Sequence, residues 1–186
     1  MLPCELERGH NEILDAAHRP SLRALGDDAI RFSSMPSLGG TAAIVEFVRG
    51  RRAWTYARTV ALSGHPLFGW TVDERRMFSL SRREYDALAA GVDAALASYR
   101  PSTPVDLGNG TTETIVCTDG PGFLTERVAA GAVATLAGSC PPERDRQHAN
   151  RLVAALVVRI VCRHLGAQAV VDLGLARHRR DACAAR

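Results

Sequence analysis

A change of period divides this chain and restricts the folds open to it. From Asp28 to Leu62 it reads in strand-like runs, Ala29 to Met35, Thr41 to Arg49 and Ala53 to Leu62. The runs are cut by the turn signals Pro36-Ser37-Leu38-Gly39-Gly40 and Gly50-Arg51-Arg52. After Ser81 the apolar residues recur every three or four positions instead. Tyr85, Leu88, Ala89, Val92, Leu96 and Tyr99 trace one buried helical stripe, which Arg100-Pro101 ends. A chain that passes from strand period to helix period has to bury a sheet face against a helix stripe, which places it among the α+β folds.

The switch itself is marked by local chemistry. Ser81-Arg82-Arg83-Glu84 is a capping box, in which the serine oxygen accepts from a first-turn N–H and the glutamate reaches back to the serine. Upstream, Glu5 to Ala17 carries Leu6, Ile13, Leu14 and Ala17 at helical spacing before Pro20, predicting a short N-terminal helix. Ser63 to Trp70 reads as a loop and Arg75 to Leu80 as a short strand. Downstream, Glu113 to Thr118, Phe123 to Val128 and Ala132 to Ser139 read as strands, and a strongly apolar helix is predicted from about Ala149 to Leu165, closed by Gly166. Val170 and Val171 add a strand or pack loosely. The expectation is an antiparallel sheet, a meander plus a hairpin, with two main helices on one face and a short N-terminal helix. Residues 1–27 form the helical N-terminal segment, 28–175 a single α+β domain and 176–186 a disordered basic tail.

Composition excludes several classes. At 186 residues, 46% hydrophobic and 23% charged, the chain can bury one core and matches neither a disordered protein nor a membrane span. The net charge of +3 is spread along the chain, which argues against nucleic acid as the partner. Every basic side chain is arginine, so Schiff-base chemistry on a lysine is absent.

Five cysteines, Cys4, Cys117, Cys140, Cys162 and Cys183, include no C-x-x-C pair, and the six histidines include no H-E-x-x-H. No metal and no cofactor is expected. Cys117 and Cys140 flank the hairpin turn at Ala129 to Gly131 and can face each other; Cys140 with Cys162 is the alternative bridge. A bridge points to an oxidising compartment, periplasmic or secreted with its leader removed. The start Met1-Leu2-Pro3-Cys4-Glu5 lacks a leader and points to the cytoplasm instead.

Three functions compete. The leading one is a small non-enzymatic bacterial protein-binding domain, an inhibitor or toxin-neutralising, immunity-type protein. Its surface would be Arg51, Arg52, Trp54, Tyr56 and Arg58, because aromatic and arginine side chains mark interface centres. The second is a cysteine-dependent enzyme built on Cys117 and Asp119, beside the turn Asp119-Gly120-Pro121-Gly122, with His148 or His65 as base. The third is a nucleic-acid-binding domain using the Arg49 to Arg58 hairpin.

Overall fold

The computed structural model describes residues 3–36, 39–50, 54–98, 105–106, 112–113, 122–138, 144–175 and 183. Two helices lead, α1 (Pro3–Ala16) and α2 (Leu22–Leu25), followed by β1 (Asp28–Met35), β2 (Gly40–Arg49), β3 (Thr55–His65) and β4 (Gly69–Leu80). Then come α3 (Arg82–Ser98), the small pair β5 (Val105–Asp106) and β6 (Thr112–Glu113), the hairpin β7 (Gly122–Ala129) and β8 (Ala132–Gly138), and α4 (Arg144–Leu165) and α5 (Ala167–Asp172). The fold is α+β, with one antiparallel sheet in the order β4-β3-β2-β1-β7-β8. The meander has four strands, and the β7–β8 hairpin joins it at β1.

Alternation along the strands gives the sheet two unlike faces. Ile30, Phe32, Ala43, Val45, Phe47, Ala57 and Ala61 point toward α3 and α4, where they meet Tyr85, Leu88, Val92, Val153, Val157 and Val161. The small residues of β3 therefore lie on the helix side, where Thr55 Oγ1 also donates to the Leu80 carbonyl at 2.5 Å. The two helices themselves approach closely at Gly91, where a Cβ would lie 2.5 Å from Leu156 Cδ1. On the opposite face Met35, Ala42, Ile44, Val60 and Leu62 pack against Ile13, Leu14 and Ala17 at the end of α1. Leu22 of α2 covers Ala29, Val48 and Val128 on that same face.

Several boundaries differ from the sequence reading, each for a physical reason. Ser63 to Trp70 is the end of one strand, a tight turn and the start of the next, and β4 runs from Gly69 rather than from Arg75. As an edge strand it is half-exposed along nearly its whole length, which erases the hydrophobic alternation that marks an interior strand. The last long helix begins at Arg144, because its first turns are polar. Val170 and Val171 lie in the helix α5, with Val170 buried and Val171 exposed, so packing overrides the β preference of the pair. Gly166 closes α4 as expected, with φ 86° and its N–H on the Cys162 carbonyl.

Cys162 is bridged to Cys183, with Cα atoms 5.7 Å apart. This corrects the pairing of Cys162 with Cys140; Cys117 and Cys140 lie outside the described residues. Both bridged cysteines pack against the main core. With the bridged positions separated by 21 in sequence, loop closure predicts that Cys183→Ser, or reduction, destabilises the protein by about 3 kcal/mol. An unchanged urea midpoint with and without reductant would show that the bridge adds nothing.

The capping box forms as read. The Glu84 N–H donates to Ser81 Oγ at 3.2 Å, and Glu84 Oε2 accepts from the Ser81 N–H at 3.0 Å and its hydroxyl at 2.7 Å. Burial works against the charged carboxylate, but these bonds and those from Arg163 and His164 hold it down, from 4.5 to about 2. A depressed carboxylate stabilises the fold fully above its unfolded value, so this contribution fades as pH falls from 4.5 toward 2. Ser81→Ala is expected to cost about 1 kcal/mol at neutral pH and to flatten that acid-side loss. Denaturation curves measured across the acid range check both.

Candidate functional site

The innermost polar feature is a row of charges crossing four strands at one level of the sheet. Register places Glu126 of β7 opposite Arg31 of β1, Arg31 opposite Glu46 of β2, and Glu46 opposite Arg58 of β3, all on the α1 face. Arg31 and Glu46 are each 1% exposed. Two such ions are tolerable in the middle of a sheet only if nearly every donor and lone pair is used. Arg31 meets that condition by bonding Glu46 Oε1 through Nε (3.0 Å) and Nη2 (2.9 Å), Glu126 through Nη1 (3.1 Å) and the Pro20 carbonyl through Nη2 (2.6 Å). His10 of α1 reaches Glu126 at 3.1 Å. Burial pushes the Glu126 carboxyl up, while His10 and Arg31 outweigh it and leave it below its ordinary value.

Glu46 has a second cation. Arg19, from the segment after α1, bonds it at 3.2 Å through Nε and at 2.5 Å through Nη2. With Arg31 on one side and Arg19 above, the carboxylate has no room for Arg58, its register partner on β3. Among the described residues no carboxylate pairs with Arg58. Its guanidinium lies over the Tyr56 ring, 4.9 Å from the centroid, with the Tyr56 hydroxyl at 3.5 Å. Tyr56 in turn tilts against Trp54 at 5.8 Å between centroids.

These side chains share the α1 face but lie outside the area that α1 covers. Trp54 is 63% exposed, and Met77, the β4 register partner of Arg58, is 64% exposed. The result is a surface of two aromatic rings, a thioether and a cation with no carboxylate partner, on the outer strands of the sheet. Of the binding residues expected from sequence, the structure brings Trp54, Tyr56 and Arg58 together; Arg51 and Arg52 lie outside the described residues. Met77 is the addition that sequence reading missed, since it becomes visible only through the β3–β4 register.

Arg49 belongs elsewhere. It faces the other side of the sheet, over the Tyr85 ring at 4.7 Å, and pairs with Asp28 at 3.3 Å and with Asp86. Asp28 also accepts from Tyr85 and Arg127, both at 2.6 Å, and Arg127 reaches Asp93 at 3.1 Å. Burial and the bond to Asp28 push the Tyr85 hydroxyl well above an ordinary phenol, which keeps it a donor. A cleft of about 500 Å³ opens beside this cluster, lined by residues including Arg23, Asp27, Asp28 and Arg49. Asp28 and Arg49 are already engaged by neighbours within the chain. Of the cysteine-enzyme set, Cys117 and Asp119 lie outside the described residues, and His148 lies on α4 with its side chain outside them.

Comparison with protein-family models, with curated proteins and with solved structures finds no match in any of the three.

The row of charges predicts a specific pattern of losses. Glu46→Ala leaves Arg31 short of its main partner and is expected to cost roughly 3–5 kcal/mol. The double variant Arg31→Met with Glu46→Leu removes both charges together and is expected to be less destabilised than Glu46→Ala alone. Urea unfolding of the single and double variants measures the coupling; additive losses would refute it.

Proposed function

We propose that the chain is a protein-binding domain that docks an acidic, apolar-bearing partner surface on Trp54, Tyr56, Arg58 and Met77. The observation that carries this reading is Arg58, a guanidinium with no carboxylate partner among the described residues that lies over the Tyr56 ring beside an exposed tryptophan. Trp, Tyr and Arg dominate binding energy at interfaces, and a carboxylate offered to a ring-stacked guanidinium gains a charge-assisted bond without breaking one within the chain. Trp54 and Tyr56 contribute broad contact area with few rotatable bonds to immobilise. An inhibitor or a toxin-neutralising partner works by this kind of surface complementarity. The nucleic-acid alternative needs arginines gathered on one face, whereas Arg49 and Arg58 lie on opposite faces of the sheet.

The emission of exposed Trp54 supplies the test. Titration with a random glutamate–tyrosine copolymer is expected to give a saturable change, and Tyr56→Ala or Arg58→Glu to weaken binding by roughly 2 kcal/mol, about thirtyfold. Binding of single-stranded DNA in preference to the copolymer would replace this reading with the nucleic-acid one. Equal affinity in Arg58→Glu would remove the patch from it.

A further inference from the structure

The two edges of the sheet are built differently. β4, at one edge, carries the charged run Asp73-Glu74-Arg75-Arg76, and its pairing with β3 is broken by a bulge at Ala61/Leu62. Charges and bulges are the devices by which natural sheets keep an edge from recruiting another strand. β8, at the other edge, has none of them. Its sequence Ala-Val-Ala-Thr-Leu-Ala-Gly contains no charge and no proline, and it pairs with β7 without a register shift from Ala129↔Ala132 to Phe123↔Gly138.

Over residues 132–135 both faces beside this edge are open as well. Leu136 points into the helix-side core, so Ala132 and Ala134 share that face by alternation, and Val133 and Thr135 share the other. All four of these residues are exposed, while at Leu136 the strand is buried under the helices. Among the described residues no strand lies on the outer side of β8, which leaves its backbone groups open to a further strand.

We infer that β8 is a self-pairing edge whose occupant is β8 of a second copy, joined antiparallel about a two-fold axis. The composition favours a second copy over a foreign peptide. A strand without charged or aromatic side chains offers a foreign sequence little to read, and specificity in strand addition comes from side-chain pockets. Against itself the same strand is self-complementary, as a two-fold interface requires. With the axis at Thr135, the pairs are Thr135 with Thr135, Val133 with Ala137, Ala134 with Leu136 and Ala132 with Gly138. No like charges meet, and a threonine pair is among the favourable cross-strand neighbours. The two six-stranded sheets become one continuous sheet, with both α1 helices on the same side.

Sedimentation across a wide concentration range, paired with amide hydrogen exchange, tests the inference. The wild type is expected to reach twice the chain mass, with protection of residues 132–138 rising with concentration. Thr135→Lys lies opposite Glu126 on β7 and can pair with it inside the chain, so the fold is expected to persist while lysine meets lysine on the axis. Its dimerisation should weaken roughly tenfold or more. Arg58→Glu should dimerise as the wild type does, which separates this inference from the binding surface. A wild type that stays monomeric throughout overturns it, even if an added extended peptide binds at β8. So does a dimer whose β8 amides exchange independently of concentration, or a Thr135→Lys dimer as tight as wild type. If Thr135→Lys fails to fold, the exchange measurement on the wild type decides alone.

Discussion

The carboxylate of Glu46 fixes more of this molecule than any apolar contact does. It sits in the apolar middle of β2, among Ala42, Ala43, Ile44, Val45, Phe47 and Val48, and it is buried by elements from two parts of the chain. Removing a carboxylate and a guanidinium from water costs several kcal/mol for each ion, offset only when the bonds are numerous and well aimed. That demand specifies register. A slip of one residue between β1 and β2 would turn Arg31 toward Phe47, Tyr85 and Val157, where it would find no partner. The same carboxylate ties down the N-terminal segment through Arg19, while Arg31 holds the Pro20 carbonyl. Leu22 is thereby placed over Ala29, Val48 and Val128, so α2 depends on the charges as much as on its own four residues.

The binding surface follows from that arrangement. Alternating charges across neighbouring strands would normally close on themselves, with Arg58 completing the row against Glu46. Glu46 is instead bonded by Arg31 and Arg19, so the last cation of the row is left over, and it falls on the part of the face that α1 does not reach. A residue can thus be available to a partner because a buried neighbour is already satisfied. Arg49, with the same side chain and two close carboxylates, is spent in holding α3 to the sheet.

The architecture was legible because its signals are local. The Ser81 capping box, the helical stripe from Tyr85, the alternation along β3 and the glycine after Leu165 each state their structure within a few residues. The outlines of β4 and α5 were not, because an edge strand shows both faces to water and a short valine-rich helix looks like a strand. The row of charges left a weaker trace: a lone Arg31 and a lone Glu46, each at the centre of an apolar run. Such a residue has to find a partner or unfold its strand, but which partner depends on register, and register depends on the topology. The aromatic and arginine cluster was partly readable, since Trp54, Tyr56 and Arg58 alternate along one strand. Met77 was not, because it joins them from a neighbouring strand.

The proposed assembly and the proposed binding surface lie at opposite ends of one sheet, which decides how each can vary. The charges and bulge of β4 keep the edge beside the patch from being covered by a strand, while β8, four strands from β3, is free to pair. With two copies joined at β8, the Trp54 surfaces lie on the same side of a continuous sheet. At about 4.8 Å per strand their separation is roughly 40 Å along it. A partner that displays its acidic surface twice then meets both patches in one encounter, and the second contact forms at the high effective concentration set by the rigid sheet rather than by a linker. A modest affinity at each patch is enough under those conditions. Four side chains on two strands suit that demand better than they suit tight binding by a single copy, because so small a surface gives little beyond the cost of association itself.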